Sequence, residues 1–379
     1  MYGFSKMRSY LEMQTECGIP ALECAVSVDG QVVFNECFGH FDAEKTKKAS
    51  HGDLYWIFSA SKVITCVCAM RLVEEGLLSL DDPVSKYLPE YATLSVKAKD
   101  GTVSRAQNEM KVLHLFTMTS GLDYASMNKP HVREAAEKYN GRTRDVVASF
   151  VQQPLYFEPG THYLYSLSHD VLAAVIEVAS GKSFGEYVRE VLFDPLGIRD
   201  MGFHPTEEQR SRISAMYAYE NGTARVHEVE SHNNFRLGEQ YESGGAGFFS
   251  SVSEYIKILN TLALGGTSAD GYRFLKPETV RMMCENRLPD AALNEFNTNR
   301  LFGYGWGLCG RVHTDPRRSL SLSPVGEFGW DGAAGALAMV DTQNRIALHL
   351  LTHVRGCQYI YRRVHPRLIN LVYEEIFGV

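Results

Sequence analysis

The two ends of the chain carry apolar patterns typical of β-hairpins. Residues 25–34 form two apolar runs around Asp29-Gly30, a dipeptide typical of two-residue hairpin turns. Residues 336–351 repeat the arrangement around a polar turn at 341–344. The pattern therefore predicts one hairpin near each end of the chain.

Helical spacing of apolar residues dominates the middle of the chain, although three further helices are predicted outside it. The chain opens on an amphipathic pattern in which Phe4, Met7, Tyr10 and Leu11 share one face. Further helices are predicted from Ser59 to about Gly76, from Asp82-Pro83 onward, and at about 112–116, 144–152, 170–180, 253–263 and 359–377.

Hairpins at both ends around a helical middle predict a mixed α/β (α+β) fold. One antiparallel sheet would be built from both termini and flanked by helices, with a mainly helical domain inserted. We assign residues 1–53 and 241–379 to a discontinuous sheet domain and residues 54–240 to the helical domain.

Composition and charge exclude several classes of protein. The chain has 379 residues, a formal net charge of −7 and 22% charged residues, which argues against nucleic acid or an anionic membrane as the main partner. No apolar run approaches the length of a membrane span. The start of the chain lacks the pattern of a signal peptide, and the eight cysteines form no CxxC pairs, so we expect a reducing, cytoplasmic setting.

The sequence gives no sign of a metal or cofactor. The thirteen histidines form no HExxH motif, and His162 and His169 are too far apart to lie one helical turn from each other. The glycine-rich stretch 243–250 lacks the lysine of a phosphate-binding loop and the spacing of a dinucleotide fingerprint. We expect these glycines to allow close backbone packing, and we expect neither a metal nor a cofactor.

The candidate chemistry lies at the start of the helix that begins near Ser59. Ser59 and Lys62 are one helical turn apart, so the amine could take the proton of the serine hydroxyl. Burial of the helix would favour the neutral amine, which can act as a base. Free N–H groups at the helix start would favour a developing oxyanion.

Two other serines match short catalytic patterns. Ser126 precedes Lys129 by three residues, but Pro130 follows in a predicted loop. Ser183 lies in a GxSxG sequence, which marks a nucleophile only on a sharp turn between a strand and a helix. The segment before Ser183 has a helical pattern that ends at Gly181, so we expect Ser183 to have no catalytic role.

Several stretches together resemble the serine β-lactamase and penicillin-binding-protein superfamily, and within it the class C β-lactamase-like and family VIII carboxylesterase branch. They follow in the family's order along nearly the whole chain: Phe58 to Lys62 with its continuation Met70 to Val84, Leu115 to Leu122, Phe157 to Gly160, Tyr165 to Leu167, Gly244 to Gly247, and Trp330 to Gly335. The resemblance implies a β-lactamase/transpeptidase-like fold with the active site in the cleft between the two domains, and it implies Ser59 as nucleophile with Lys62 as base.

The resemblance also implies a tyrosine that shares proton transfer with the lysine. Tyr124-Ala125-Ser126, Tyr219-Glu220-Asn221 and Tyr241-Glu242-Ser243 fit the family's Tyr-x-Asn or Tyr-x-Ser pattern by their letters. Position along the chain selects Tyr165, which follows the Pro-Gly turn and precedes a helix. Leu167 replaces the polar third residue of the family pattern.

The family's third motif corresponds to Trp330-Asp331-Gly332. By resemblance, Gly332 would let the strand approach the acyl group, and the N–H groups of Ala333 and Ser59 would form the oxyanion hole. Trp330 stands where many relatives have a lysine that holds a substrate carboxylate, and Arg355 is a candidate replacement charge, although we expect a surface role for it. Asp331 is assigned no chemistry.

These features predict a serine hydrolase that works through an acyl-enzyme and acts on a small-molecule ester or amide. A carboxylesterase of small or aromatic acyl esters fits Trp330 best, and its acyl group could pass to water, an alcohol or an amine. The alternatives are a D-amino-acid peptidase, amidase or β-lactamase, and a sensor that is acylated without turnover. The sequence predicts neither the natural substrate nor the oligomeric state.

Overall fold

The computed structural model describes residues 3–220, 226–297 and 301–379. Its strands are short outside one large sheet. They are β1 Ala21–Val28, β2 Gln31–Gly39, β3 Tyr55–Trp56, β4 Ser95–Lys97, β5 Val103–Arg105, β6 Met201–Gly202, β7 Met216–Tyr219, β8 Val226–Val229, β9 Phe249–Ser250, β10 Tyr304–Gly307, β11 Gly310–His313, β12 Phe328–Asp331, β13 Leu337–Asp341, β14 Ile346–Leu351 and β15 Val354–Arg355.

Helices occupy most of the chain between β3 and β10 and also lie at both ends. They are α1 Ser5–Glu16, α2 Ser61–Glu74, α3 Val112–Phe116, α4 Pro130–Lys138, α5 Thr143–Ala148, α6 Ser168–Ser180, α7 Phe184–Val188, α8 Glu207–Ser211, α9 Val252–Ala263, α10 Pro277–Met283, α11 Asp290–Phe296, α12 Pro316–Ser319 and α13 His365–Phe377. In the described ranges, none of them combines the length and apolar character that a bilayer crossing requires.

The large sheet is antiparallel and combines strands from both ends of the chain. Its seven strands run in the order β10-β11-β12-β13-β14-β1-β2. The first hairpin pairs with the last one through β1 and β14, with Glu23 opposite Leu351 and Val28 opposite Ile346. This arrangement confirms the predicted fold class.

Local turn chemistry explains why the first hairpin forms where it does. Asp29 and Gly30 both have positive φ, 49° and 84°, as a two-residue turn between twisted strands requires. Alternating side chains of β1 then face opposite layers. Leu22, Cys24 and Val26 pack in the cluster that contains α1 and α13, whereas Ala25 packs in the larger core with α2 and α9.

Helix α2 lies at the centre of the larger core. Eleven of its fourteen residues are buried, from Ser61 to Met70 and Leu72. The glycine-rich stretch lies against it, and a Cβ atom on Gly244 would overlap the carbonyl oxygen of His169. The prediction that these glycines serve close backbone packing is therefore confirmed.

The helix predicted to start at Asp82-Pro83 is only a 3-10 turn at Val84–Lys86, because Pro89 follows too soon for a longer helix. The division of the chain into residues 1–53 with 241–379 and residues 54–240 stays a prediction.

Candidate active site

Ser59 lies in a 3-10 turn, Phe58–Ala60, that leads directly into α2. Phe58 has a positive φ of 46°, which is unfavourable for a residue with a Cβ atom and is held here by full burial. Ser59 itself is 8% exposed. The turn thus holds one hydroxyl at the edge of the core in a conformation that the surrounding packing enforces.

Lys62 is fully buried, and its amine contacts three oxygen atoms. Its Nζ lies 3.3 Å from Ser59 Oγ, 2.9 Å from the Tyr124 hydroxyl and 2.7 Å from the carbonyl oxygen of Gly245. A neutral amine has two N–H groups and one lone pair. It can therefore donate to Tyr124 and Gly245 while it accepts the proton of Ser59.

Tyr124 is the phenol bonded to the lysine, although position along the chain selected Tyr165. Burial raises the pKa of the Tyr124 phenol well above its usual range, and the neighbouring Tyr165 raises it further. Tyr124 is therefore neutral and keeps a proton beside the lysine. Its only sequence signal was the Tyr-x-Ser pattern that it completes with Ser126.

Tyr165 is a second phenol near the same amine. Lys62 Nζ is 4.7 Å from the centre of the Tyr165 ring, and the Tyr165 hydroxyl accepts a hydrogen bond of 2.8 Å from Trp330 Nε1. The rings of Tyr124 and Tyr165 are 5.6 Å apart. Leu167 is 1% exposed and packs in the larger core. In place of the polar third residue of the family pattern, this chain therefore has an apolar core residue.

A cavity of about 400 Å³ opens beside these groups and collects most of the predicted site residues. It is lined by Ser59, Tyr165, Trp330, Asp331, Gly332, Ala333, Arg355, Gly356, Gln358 and Tyr361. Arg355, the candidate replacement charge, is half-buried in the pocket wall, with its guanidinium 5.8 Å from the centre of the Phe58 ring. Gln358 and Tyr361 had no sequence signal.

The backbone around Gly332 connects the large sheet with the turn that carries Ser59. A Cβ atom on Gly332 would overlap the carbonyl oxygen of Ile57. The carbonyl oxygen of Gly332 accepts a hydrogen bond of 2.7 Å from the Tyr361 hydroxyl. Gly332 is therefore required for the close approach of β12 to the chain just before Ser59.

Asp331 belongs to a buried group of charges behind the pocket. Arg311 lies 3.0 Å from Asp331 and 3.3 Å from Glu327, and all three residues are at most 5% exposed. His365 Nδ1 approaches Asp331 at 3.6 Å. Burial raises the pKa of Glu327 while Arg311 lowers it. The structure thus gives Asp331 an ion pair that the sequence did not suggest.

Asp170 is a further buried acid near the lysine that the sequence did not single out. Its Oδ1 accepts hydrogen bonds of 3.1 Å from Tyr241 and 2.5 Å from Ser243. Burial raises the pKa of Asp170, whereas Lys62 lowers it. An acid in the first turn of a helix is common for capping reasons, so the sequence could not reveal this position.

The remaining candidate residues lie in other environments. Ser126 donates to Asp123 Oδ1 at 2.5 Å, and Ser183 caps α7 by accepting from the N–H of Glu186. Gly181 ends α6 with a left-handed φ of 72°, as predicted. Tyr219 lies in β7, and Asn221 of its motif lies outside the described residues.

Comparison with known proteins finds a matching family and several similar proteins. The model of the family described as Beta-lactamase matches residues 7–358. Protein Rv1367c of Mycobacterium tuberculosis is 30% identical over 83% of this chain and 81% of its own length. Lovastatin esterase of Penicillium rubens is 27% identical over 86% of each chain. The solved structure described as "EstCE1, a hydrolase with promiscuous acyltransferase activity" is 24% identical and covers 98% of each chain with a TM-score of 0.81, which shows a shared fold.

Proposed function

Since this chain belongs to the beta-lactamase family, we propose that it is a serine hydrolase that forms an acyl-enzyme on Ser59. The observation that carries the proposal is the 3.3 Å contact between Ser59 Oγ and Lys62 Nζ at the edge of the cavity. Covalent catalysis by a serine requires a base within hydrogen-bond distance of its hydroxyl.

The proposed reaction uses each group at one step. Ser59 Oγ attacks the ester carbonyl while its proton passes to Lys62 Nζ, and the carbonyl oxygen becomes an oxyanion facing the N–H groups of Ser59 and Ala333. As the tetrahedral intermediate collapses, the C–O bond to the alcohol breaks, the alcohol oxygen takes the proton of the Tyr165 hydroxyl, and Lys62 returns to Tyr165 the proton that it received from Ser59. Water then attacks the acyl-enzyme while Lys62 takes a proton from it, the bond between the acyl carbon and Ser59 Oγ breaks, the acid is released, and Lys62 returns the proton to Ser59 Oγ.

We assign different roles to the two tyrosines in this reaction. Tyr124 bonds to Lys62 and keeps its own proton, so it orients the amine toward Ser59. Tyr165 lines the cavity, where a leaving alcohol would be released, so it delivers the proton to that alcohol. Trp330 positions the Tyr165 hydroxyl through its indole N–H.

The aromatic wall of the cavity favours a carboxylesterase of small or aromatic acyl esters. Trp330 is 6% exposed and packs against Tyr165 and Trp306, with ring centroids 5.5 Å and 4.5 Å away. It offers an apolar surface where a lysine would have offered a charge. The name of the esterase relative supports the same class. All eight cysteines are free, which supports a reducing, cytoplasmic setting.

Acyl transfer to an alcohol is a second outcome of the same intermediate, and the description of EstCE1 favours testing it. Hydrolysis and transfer differ only in which nucleophile reaches the acyl-enzyme. Product analysis of p-nitrophenyl butyrate turnover with and without added short alcohols separates them, because transfer produces a new ester.

The deciding experiment replaces Ser59 and a matched serine. Ser59→Ala should lower kcat/KM for p-nitrophenyl esters by about 10⁴-fold or more, as expected when a nucleophile is removed. It should also abolish the mass increase produced by a fluorophosphonate probe. Ser183→Ala, which changes the other catalytic-looking serine, should retain both activity and labelling.

Activity retained by Ser59→Ala, or labelling lost in Ser183→Ala, would contradict the assignment. A panel of simple esters, D-alanyl peptides and β-lactams then tests the substrate class. A preference for peptides or β-lactams would reject the esterase proposal and retain the serine hydrolase. A stoichiometric burst without steady-state product would identify an acylated sensor.

A further inference from the structure

A second cluster of reactive side chains lies where the first hairpin meets the segment that follows it. Glu23 on β1 and Cys37 on β2 are opposite one another in the sheet. His51 lies beyond β2 and brings its Nδ1 to 3.0 Å from Glu23 Oε1 and 3.3 Å from Cys37 Sγ. One carboxylate oxygen, one sulfur and one imidazole nitrogen all lie within 4.8 Å of one another.

Two buried oxygen atoms at this cluster have no hydrogen-bond partner among the described residues. One is Oε2 of Glu23, whose side chain is fully buried. The other is the hydroxyl of Tyr55, which is 1% exposed and interacts electrostatically with Glu23. A buried oxygen without a partner is unfavourable, so these two atoms indicate a site that is completed by a further group.

The charge of the cluster favours a cation as that group. The side chain of Glu23 is a carboxylate with no exposed surface. Asp53 adds a second buried carboxylate nearby, which accepts hydrogen bonds from Ser50 and has Lys47 at 3.7 Å. In the described part of the chain, His51 is the group that forms an ion pair with Glu23.

We propose that Glu23, Cys37 and His51 bind a divalent transition-metal ion of the zinc class, at a site separate from the pocket that contains Ser59. Sulfur, imidazole and carboxylate are the donors that zinc takes in proteins, at about 2.0–2.3 Å. Donors at the corners of such a tetrahedron lie roughly 3.3–3.7 Å apart. The two distances from His51 Nδ1, 3.0 and 3.3 Å, are therefore within a few tenths of an ångström of these separations, and the oxygen of Glu23 and the sulfur of Cys37 lie within 4.8 Å of each other.

The chain offers an entry path and a role for this ion. The His51 side chain is 55% exposed, so its ring can swing outward to admit the ion, and solvent supplies the fourth ligand. Bound metal would fasten the segment after β2 to β1. That segment leads into β3, which lies just before the turn that carries Ser59. The site would therefore stabilise the approach to the candidate nucleophile without contacting substrate.

The spacing of these ligands along the chain could not reveal them, and no metal was expected from the sequence. The residues are separated by fourteen positions each, and strand pairing brings Glu23 and Cys37 together. No short metal motif has this form.

Cobalt reports directly on thiolate ligation. The full chain, stripped with a chelator, is titrated with Co²⁺ and then with Zn²⁺. One equivalent of Co²⁺ should produce the near-ultraviolet thiolate-to-cobalt charge-transfer band, and Zn²⁺ should displace it. Cys37→Ser should lose the band. Cys17→Ser, which alters an exposed free cysteine, should keep it.

The affinity for zinc provides a second test, which remains informative even if Cys37→Ser does not fold. His51→Ala changes an exposed ring and should weaken Zn²⁺ binding, measured against a chromophoric chelator, by about 100-fold or more. Circular dichroism of the metal-free variants checks their fold. Absence of a stoichiometric band in the wild-type chain, or a band that persists in folded Cys37→Ser, would overturn the proposal. Ester hydrolysis by Ser59 is measured separately, so failure of this site leaves the proposed function standing.

Discussion

Two tyrosines lie near Lys62, and their surroundings differ in ways that bear on catalysis. Tyr124 lies against the amine, away from the cavity lining, and its phenol is held neutral by burial. Tyr165 faces the cavity and is oriented by Trp330. A group that orients the base affects every substrate equally, whereas a group that protonates the leaving alcohol matters most when that alcohol leaves poorly.

We therefore predict that the two phenols respond differently to the leaving group. Tyr165→Phe should lower kcat/KM for alkyl esters by about 10²-fold or more, with a much smaller loss for p-nitrophenyl esters, whose leaving group needs no proton. Tyr124→Phe should lower both by similar factors. Tyr156→Phe, a change on a 60% exposed side chain, is the control. Equal losses for both ester types in Tyr165→Phe would refute this division of roles.

The sequence was least informative about the surroundings of individual residues. Tyr124 fits the Tyr-x-Ser pattern by its letters, and Tyr165 was selected by its position along the chain. Only the fold shows that Tyr124 is the phenol that bonds to the amine. Arg355 looked like a surface residue because nothing local reveals that β15 ends at the cavity. Environment at this scale depends on contacts between residues far apart in the chain, which local patterns do not encode.

At the scale of elements, β12 and the turn before α2 form one unit. Gly332 permits their close approach, and Tyr361 holds its carbonyl oxygen. The N–H groups proposed for the oxyanion hole belong to the two halves of this unit. Their separation therefore depends on the backbone contact between Gly332 and Ile57 and on the hydrogen bond from Tyr361.

Gly332→Ala should separate the strand from the turn, because the new methyl group would overlap backbone that cannot rotate away. We expect a loss of about 10²-fold or more in kcat for p-nitrophenyl esters, comparable to removal of one oxyanion donor. Gly52→Ala is the matched control, since its Cβ atom would meet nothing within 4 Å. A Gly332→Ala variant with unchanged kcat would show that the two N–H groups do not act together.

Hairpins and long helices were predictable because their signals are local. The turn at Asp29-Gly30 and the helical spacing of α2 each lie within a few residues. The pairing of β1 with β14 is not local, and it became predictable only from the position of the hairpins at both ends. The predicted helix at Asp82-Pro83 was wrong in length because Pro89 limits it to a turn.

At the scale of the whole molecule, the buried charges around Arg311 join strands β11 and β12 of the large sheet to the last helix, α13. Arg311 lies on β11 and pairs with Glu327, just before β12, and with Asp331 at its end, while His365 opens α13. Removal of the single arginine would leave two buried carboxylates without their cation.

Arg311→Met should therefore lower the free energy of unfolding by about 3–5 kcal/mol, measured by urea denaturation. Arg281→Met is the control, because its pair with Glu278 has both side chains 69% exposed and should contribute less than about 1 kcal/mol. Adding Glu327→Gln to Arg311→Met should restore part of the loss. No restoration would show that lost packing, and not an unpaired charge, causes the destabilisation.

Strand β1 is buried along its whole length between β2 and β14. Val28 and its partner Ile346 are separated by about 320 residues, so a ribosome that adds roughly 5–20 residues per second needs on the order of 20–60 s to deliver the second after the first. During that interval the nascent hairpin exposes an unpaired apolar edge. Until the last hairpin is synthesised, chaperones or transient contacts within the nascent chain must therefore cover this edge.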